Sequence, residues 1–306
     1  MKALLVEIRR EFWEHRALWM APLAIAVALL LAAAAFGHAR LEINDRPVLQ
    51  NGESPPQLYQ YVLFGSALPL FLAAAILASA YLLDCLYAER RDRSILFWRS
   101  MPVSDARAVL VKLAVGLLIV PLGTYALAAL TSVLVSAILV VRNHGLVIGG
   151  ASALSWNVLP WLQLQGELLY GLIAALLWYA PFAAYLLLVS VWARRSPYAW
   201  AFIPPVLLVI FERLEFGTHY VGQILDRSLT ELLHLAFRFD APAFSASAGT
   251  GAAPDAAVNV QFSGGADLPA LTPLHLLADP RLLCGLLAAV FMTSAAIWLR
   301  RSRDEA

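Results

Sequence analysis

Charge is what this chain has least of. Of its 306 residues only 14% are Asp, Glu, Lys or Arg, while 61% are hydrophobic. Soluble domains carry about 25% charged residues, so this composition excludes an ordinary soluble protein and points to an integral membrane protein. Lysine is almost missing: Lys2 and Lys112 are the two lysines, and every other basic residue is arginine. Cys85 and Cys284, both at the ends of apolar runs, have neither metal spacing nor a disulfide framework and read as small buried residues. The net charge of +1 is uninformative about acidic partners, and no nucleic-acid partner is expected.

Catalytic signatures are missing as well. There is no G-x-x-x-x-G-K-[ST] loop, which excludes ATP binding in the P-loop manner, and no H-E-x-x-H, G-x-S-x-G or C-x-x-C. His15, His38, His144, His219, His234 and His275 are scattered, and none pairs with another His or a Cys at metal-ligand spacing. They read as surface or interfacial residues. The chain is therefore not expected to be an enzyme or to hold a cofactor or metal of its own.

What is present is a series of long apolar runs. Residues 1–16 contain KALLVEIRREFWEHR, in which Leu5, Ile8 and Phe12 follow a helical spacing while Glu7, Arg10, Glu11 and Glu14 fall elsewhere on the wheel. This predicts an amphipathic helix in the membrane interface, its arginines near headgroups. Three acidic residues and a long following run argue against a cleaved signal peptide. Spans are predicted at about 17–37, 61–87, 107–141, 167–193, 198–216 and 281–299, where roughly 20 apolar residues suffice for one crossing. The third is longer than a crossing needs and should tilt, kink near Pro121 or protrude. Pro204-Pro205 should break or kink the fifth. Residues 218–279 form a long segment outside the membrane, helical in period at Leu225, Leu229, Leu232 and Leu233, then irregular over about 241–270. No internal repeat is visible. The expected fold is an all-α integral membrane protein, one transmembrane domain over 1–306, with six transmembrane helices.

Arginine orients it. Arg9, Arg10 and Arg16, then Arg90 to Arg107, Arg194-Arg195 and Arg300 to Arg303 fall on one side. The longer opposite loops hold Arg40, Arg46, Arg142, Arg227 and Arg238. The positive-inside rule puts both termini in the cytoplasm.

The densest charge lies between spans two and three, DCLYAERRDRSILFWRSMPVSDARAVLVK from Asp84 to Lys112. Four consecutive apolar residues, Ile95, Leu96, Phe97 and Trp98, sit among arginines, and such a run gains by leaving water. Ser104 is placed to cap the third span, with Asp105 suited to the first-turn dipole. This segment resembles the permease subunits of type-2 ABC exporters of bacteria, which carry E-R-x-D-R-S-I-L-F-W-x-S-x-P-V-S-D in their first long cytoplasmic loop. The match falls on Glu89, Arg90, Asp92, Arg93, Ser94, Ile95, Leu96, Phe97, Trp98, Ser100, Pro102, Val103, Ser104 and Asp105.

The resemblance implies a half-transporter in the inner membrane, a second permease copy as a homo- or heterodimer, and a separate ABC ATPase subunit that binds ATP and Mg. It also implies that 88–105 is a cytoplasmic coupling helix docking on that ATPase. Ile95, Phe97, Trp98 and Met101 offer the apolar anchor and the flanking arginines the charge complementarity. Glu167 and Glu212 are candidate residues of the translocation path, since charge within a span is costly and often functional. For Glu212, the duller reading is a local cluster with Arg213 and Glu215 at a helix turn. The alternatives are an ion-driven secondary transporter, a non-transporting membrane assembly protein and a membrane-embedded enzyme. For the enzyme, no convergent catalytic set is visible.

Overall fold

In hydrocarbon a backbone must satisfy its own polar groups, so long apolar runs fold as helices. The computed structural model describes residues 2–36, 56–91, 104–142, 147–148, 151–152, 158–193, 195–219, 222–223, 227, 231–232, 237–238, 245–247, 259–261 and 270–303. The helices are α1 (Lys2–Glu14), α2 (Ala17–Phe36), α3 (Pro56–Arg91), α4 (Asp105–Ala114), α5 (Val120–Arg142), α6 (Val158–Trp178), α7 (Ala180–Trp192), α8 (Pro197–Phe211), α9 (Pro273–Ala278) and α10 (Pro280–Arg303). A π-helical turn, Val115–Ile119, joins α4 to α5, and a second, Glu212–Phe216, extends α8. Short strands pair antiparallel: β1 (Val147–Ile148) with β2 (Ala151–Ser152), β3 (Phe237–Arg238) with β6 (Ala270–Leu271), and β4 (Ser245–Ser247) with β5 (Asn259–Gln261). One of these ladders, β4–β5, thus falls within the segment expected to be irregular, and β3–β6 brackets it.

The chain is a helical, multi-pass membrane protein. Among the described residues, four stretches are long and apolar enough to cross: Ala17–Ala35, Gly65–Arg91, Asp105–Leu139 and Pro280–Ser302. The α6–α7 pair, bent by 49°, makes a fifth if counted as one span. Its helix begins at Val158 and its apolar stretch at Trp161, ahead of the 167 expected from composition. Its bend falls at Tyr179, just before Pro181, which has no N–H to offer the preceding turn. α8 has 15 residues, about 22 Å at ~1.5 Å per residue, short of the ~30 Å hydrocarbon core. Its π-turn ends at Gly217, whose φ of 61° is the left-handed conformation that closes a helix.

The long third run deforms where its sequence demands. Pro121 has no N–H for the Leu117 carbonyl, and its ring crowds that carbonyl. Immediately before it the helix widens, and the Val120 N–H bonds back to Val115. The π-turn buries Val115 and Gly116 against the end of α3.

α7 is the central helix, burying Ala183, Ala184, Leu186, Leu187, Val189 and Val191. It shares one core with Leu82, Leu83 and Leu86 of α3, Val109 and Val111 of α4 and Ala296 of α10. A second core joins Ala26, Ala67, Leu70 and Ala128, where small residues let α2, α3 and α5 approach closely. A third seats Leu232 against Ala174, Leu276 and Leu282, anchoring part of the segment between α8 and α9.

Gly116 is the tightest of these contacts. A Cβ there would lie 2.7 Å from Leu82 Cγ, closer than packed carbons allow. Gly116→Ala is expected to cost about 1–3 kcal/mol through overpacking, read as a lower unfolding midpoint in detergent. Leu82→Ala in the same chain should recover part of the loss, whereas an unchanged midpoint in the single variant would contradict the close approach.

Candidate functional site

Charges in an apolar chain gather where they can neutralise one another. Lys112 stands eight residues into the helix that begins at Asp105, between Val111 and Leu113, and is almost fully buried. Its Nζ lies 2.8 Å from Glu11 Oε1 of α1 and 3.1 Å from Glu89 Oε1 in the last turn of α3. A buried ammonium is tolerable when carboxylates surround it, and here two arrive from two other helices.

The pairs continue outward. Arg300, near the end of α10, reaches Glu89 Oε2 at 3.2 Å and Asp105 Oδ1 at 3.4 Å. Arg107 meets Glu7 at 3.1 Å, and Arg10 lies 3.6 Å from Glu89 and 2.6 Å from Glu14. The Tyr81 hydroxyl donates to Glu11 Oε2 at 2.8 Å, and His15 packs edge-on against the Tyr81 ring. Burial raises the Glu11 pKa. The Lys112 ammonium outweighs that, helped by the Tyr81 hydroxyl and Arg10, and holds the carboxyl below its ordinary 4.5.

α7 joins the same end of the bundle by other means. Arg90 donates to the carbonyls of Ser190 (2.6 Å) and Ala193 (2.9 Å), which stand at a helix C-terminus and lack intrahelical donors. Ser190 Oγ in turn accepts from the backbone N–H groups of Leu86 and Tyr87 at 3.2 and 3.1 Å. Ser104 caps α4, its hydroxyl accepting from the Arg107 N–H at 3.4 Å, with Asp105 in the first turn.

α1 is built for this contact. Ile8 and Phe12 pack on the main core, and Glu7 and Glu11 point into the cluster. Val6, Arg9 and Trp13 face away.

The expected coupling residues divide. Glu89 and Arg90 stand in the last turn of α3, and Ser104 and Asp105 begin α4. Glu89 and Asp105 meet in the cluster through Arg300, while Arg90 turns to the end of α7 and Ser104 caps α4. Asp92, Arg93, Ile95, Leu96, Phe97, Trp98, Met101 and Pro102 lie outside the described residues. The cluster therefore holds both flanks of that segment. Sequence reading did not single out Glu7, Glu11, Tyr81, Arg107, Lys112 or Arg300 as site residues. Lys112 carried the available signal, a lysine inside an apolar run.

Glu167 and Glu212 belong elsewhere. Glu212 is buried in the π-turn after α8 and accepts from Thr218 Oγ1 at 2.9 Å. Glu167 is half-buried on α6. Near it Tyr125 of α5 donates to the Gln165 carbonyl at 3.0 Å, and Trp161 Nε1 donates to Ser132 Oγ at 3.1 Å. As for metals, Glu11, Glu14 and His15 bring ligand atoms within 4.8 Å of one another. Glu11 already meets Lys112 and Tyr81, and Glu14 meets Arg10, so a cation would have to displace positive partners.

Two measurements test the cluster. Lys112→Met should cost about 3–5 kcal/mol, because it leaves a buried carboxylate uncompensated. Glu11→Met added to it should restore part of that loss in a double-mutant cycle. The Glu11 contribution is fully present above the unfolded value near 4.5 and disappears as pH falls through the depressed folded value. Between pH 6 and pH 3 the wild type should therefore lose more stability than Glu11→Gln, and equal losses would refute the pairing.

Compared with known proteins, the chain matches no family model, no curated protein and no solved structure.

Proposed function

We propose that this chain is the permease subunit of an ATP-driven exporter, coupled to a separate ABC ATPase through residues 92–103 and their flanks. One observation carries the reading: a buried charge cluster grips both flanks of the charge-rich segment that carries Ile95–Trp98. Glu89 on one side and Asp105, Arg107 and Lys112 on the other are tied to α1 and to the end of α10. Such an arrangement suits a segment that must transmit force. A loop held at one flank would flex under load, whereas one clamped at both moves its helices with it.

In this reading six spans cross the inner membrane, with α8 as the fifth and both termini in the cytoplasm. Two permease chains, identical or different, enclose the path. ATP and Mg bind the ATPase, which supplies the energy this chain lacks a phosphate loop to harvest. Closure of the ATPase pair pulls on Ile95–Trp98. The cluster passes the displacement to α3, α4, α1 and α10, and the π-turn at Val115–Ile119 is the first compliant point beyond it. The permease does no bond chemistry.

The test is to find whether an adjacent reading frame carries a P-loop and an ABC signature, and to co-purify its product with this chain. Phe97→Asp with Trp98→Asp should abolish the complex and any stimulation of ATP hydrolysis, while leaving the protein folded in the membrane. A complex that survives both changes overturns the coupling role.

A further inference from the structure

α1 turns Glu7 and Glu11 inward, and what remains outside has a different character. Val6, Arg9 and Trp13 fall within about 60° of one another on the wheel at ~100° per residue, and Arg16 follows in the turn that leads to α2. Val6 and Trp13 keep 67% and 64% of their surface exposed, and both arginines are exposed. Arg9 lies over the Trp13 ring, 5.8 Å from its centroid. No acidic residue interrupts this stripe: Glu7 and Glu11 are engaged by Arg107 and Lys112, and the more exposed Glu14 is neutralised by Arg10.

The position of the stripe says what meets it. α1 ends at Glu14 and the apolar α2 begins at Ala17, with Trp19 and Met20 exposed on its first turn. A helix so close to the start of a span lies at the level where hydrocarbon gives way to headgroups. There tryptophan is favoured for its amphipathic ring, and arginine extends its stem through the apolar boundary.

We infer that the outward face of α1, with Arg9, Trp13 and Arg16, is a docking site for anionic phospholipid headgroups. The two arginines supply the charge complementarity and Trp13 and Val6 the interfacial anchor. Because the opposite face carries Glu7 and Glu11, bound lipid presses the helix onto the cluster. The inference rests on α2 spanning the membrane and is independent of any ATPase.

The full chain, reconstituted in nanodiscs, tests this with spin-labelled phosphatidylglycerol and spin-labelled phosphatidylcholine as probes. The motion-restricted fraction of each label reports headgroup selectivity. Wild type should prefer phosphatidylglycerol, and a juxtamembrane arginine is worth roughly a five-fold preference at low salt. Arg9→Gln with Arg16→Gln should reduce the preference at least five-fold, and each single change should remove about half of that effect on a logarithmic scale. Arg9→Lys with Arg16→Lys should retain it. Arg195→Gln with Arg301→Gln, which removes two exposed charges from the same end of the bundle, should leave most of it. Raising salt to about 1 M should erase it, since the Debye length then falls to ~3 Å. Should the double Gln variant fail to fold, the single variants carry the test. The inference is overturned if wild type shows no preference, if the α1 variants keep it, or if the Arg195 and Arg301 control loses as much. Binding of an acidic protein with no lipid selectivity would overturn it too.

Discussion

The amine of Lys112 sits between two carboxylates, and the arrangement of helices at that end of the bundle depends on it. Stripping water from an ammonium costs several kcal/mol, and Glu11 and Glu89, brought in from α1 and α3, offset that cost. Glu89 is in turn shared with Arg300 and Arg10, so each charge is balanced only when α1, α3, α4 and α10 are all in register. Buried ion pairs add little over a well-packed apolar alternative. What they impose is a large penalty on any arrangement that strands one partner. In a bundle whose cores are largely alanine, leucine and valine, which slide easily past one another, that penalty helps to specify one registration.

The same dependence explains the deformations nearby. Arg90 ties the end of α3 to the last carbonyls of α7, and Gly116 admits Leu82 where any side chain would collide. These contacts hold α3 firmly against its neighbours just below the π-turn. Beyond the turn, α5 packs through small residues and returns its hydroxyls to its own backbone, as Thr124, Thr131 and Ser136 do. A tied end thus joins, through a widened turn, a shaft packed on α2 and α3 through small residues, and the turn is the compliant point between two packed stretches. On the proposed reading this helix is the path by which an external pull would reach the membrane.

Much of this was legible from residue order. Long apolar runs announced the spans, because in lipid a backbone has no partner but itself. Pro121 announced a distortion, and Ser104 with Asp105 announced a helix start. The α6–α7 span was harder to bound, since Trp161, Gln163 and Gln165 dilute the apolar signal while lying within the helix. The strand pairs after α8 were illegible, because two- and three-residue ladders have no period to read.

The charge cluster marks the division most sharply. Sequence alone determined that α1 is an amphipathic helix, that arginines cluster at the ends of apolar runs, and that a charge-flanked apolar segment separates two of those runs. It could not determine which face of α1 meets the protein, because helical periodicity sets the angle between side chains and not the direction in which that pattern is turned. Tertiary packing decided that Glu7 and Glu11 face inward and Arg9 and Trp13 outward. It did so because Arg107 and Lys112, some 100 residues away, take their carboxylates from α1, while Asp105 of their own helix is engaged by Arg300.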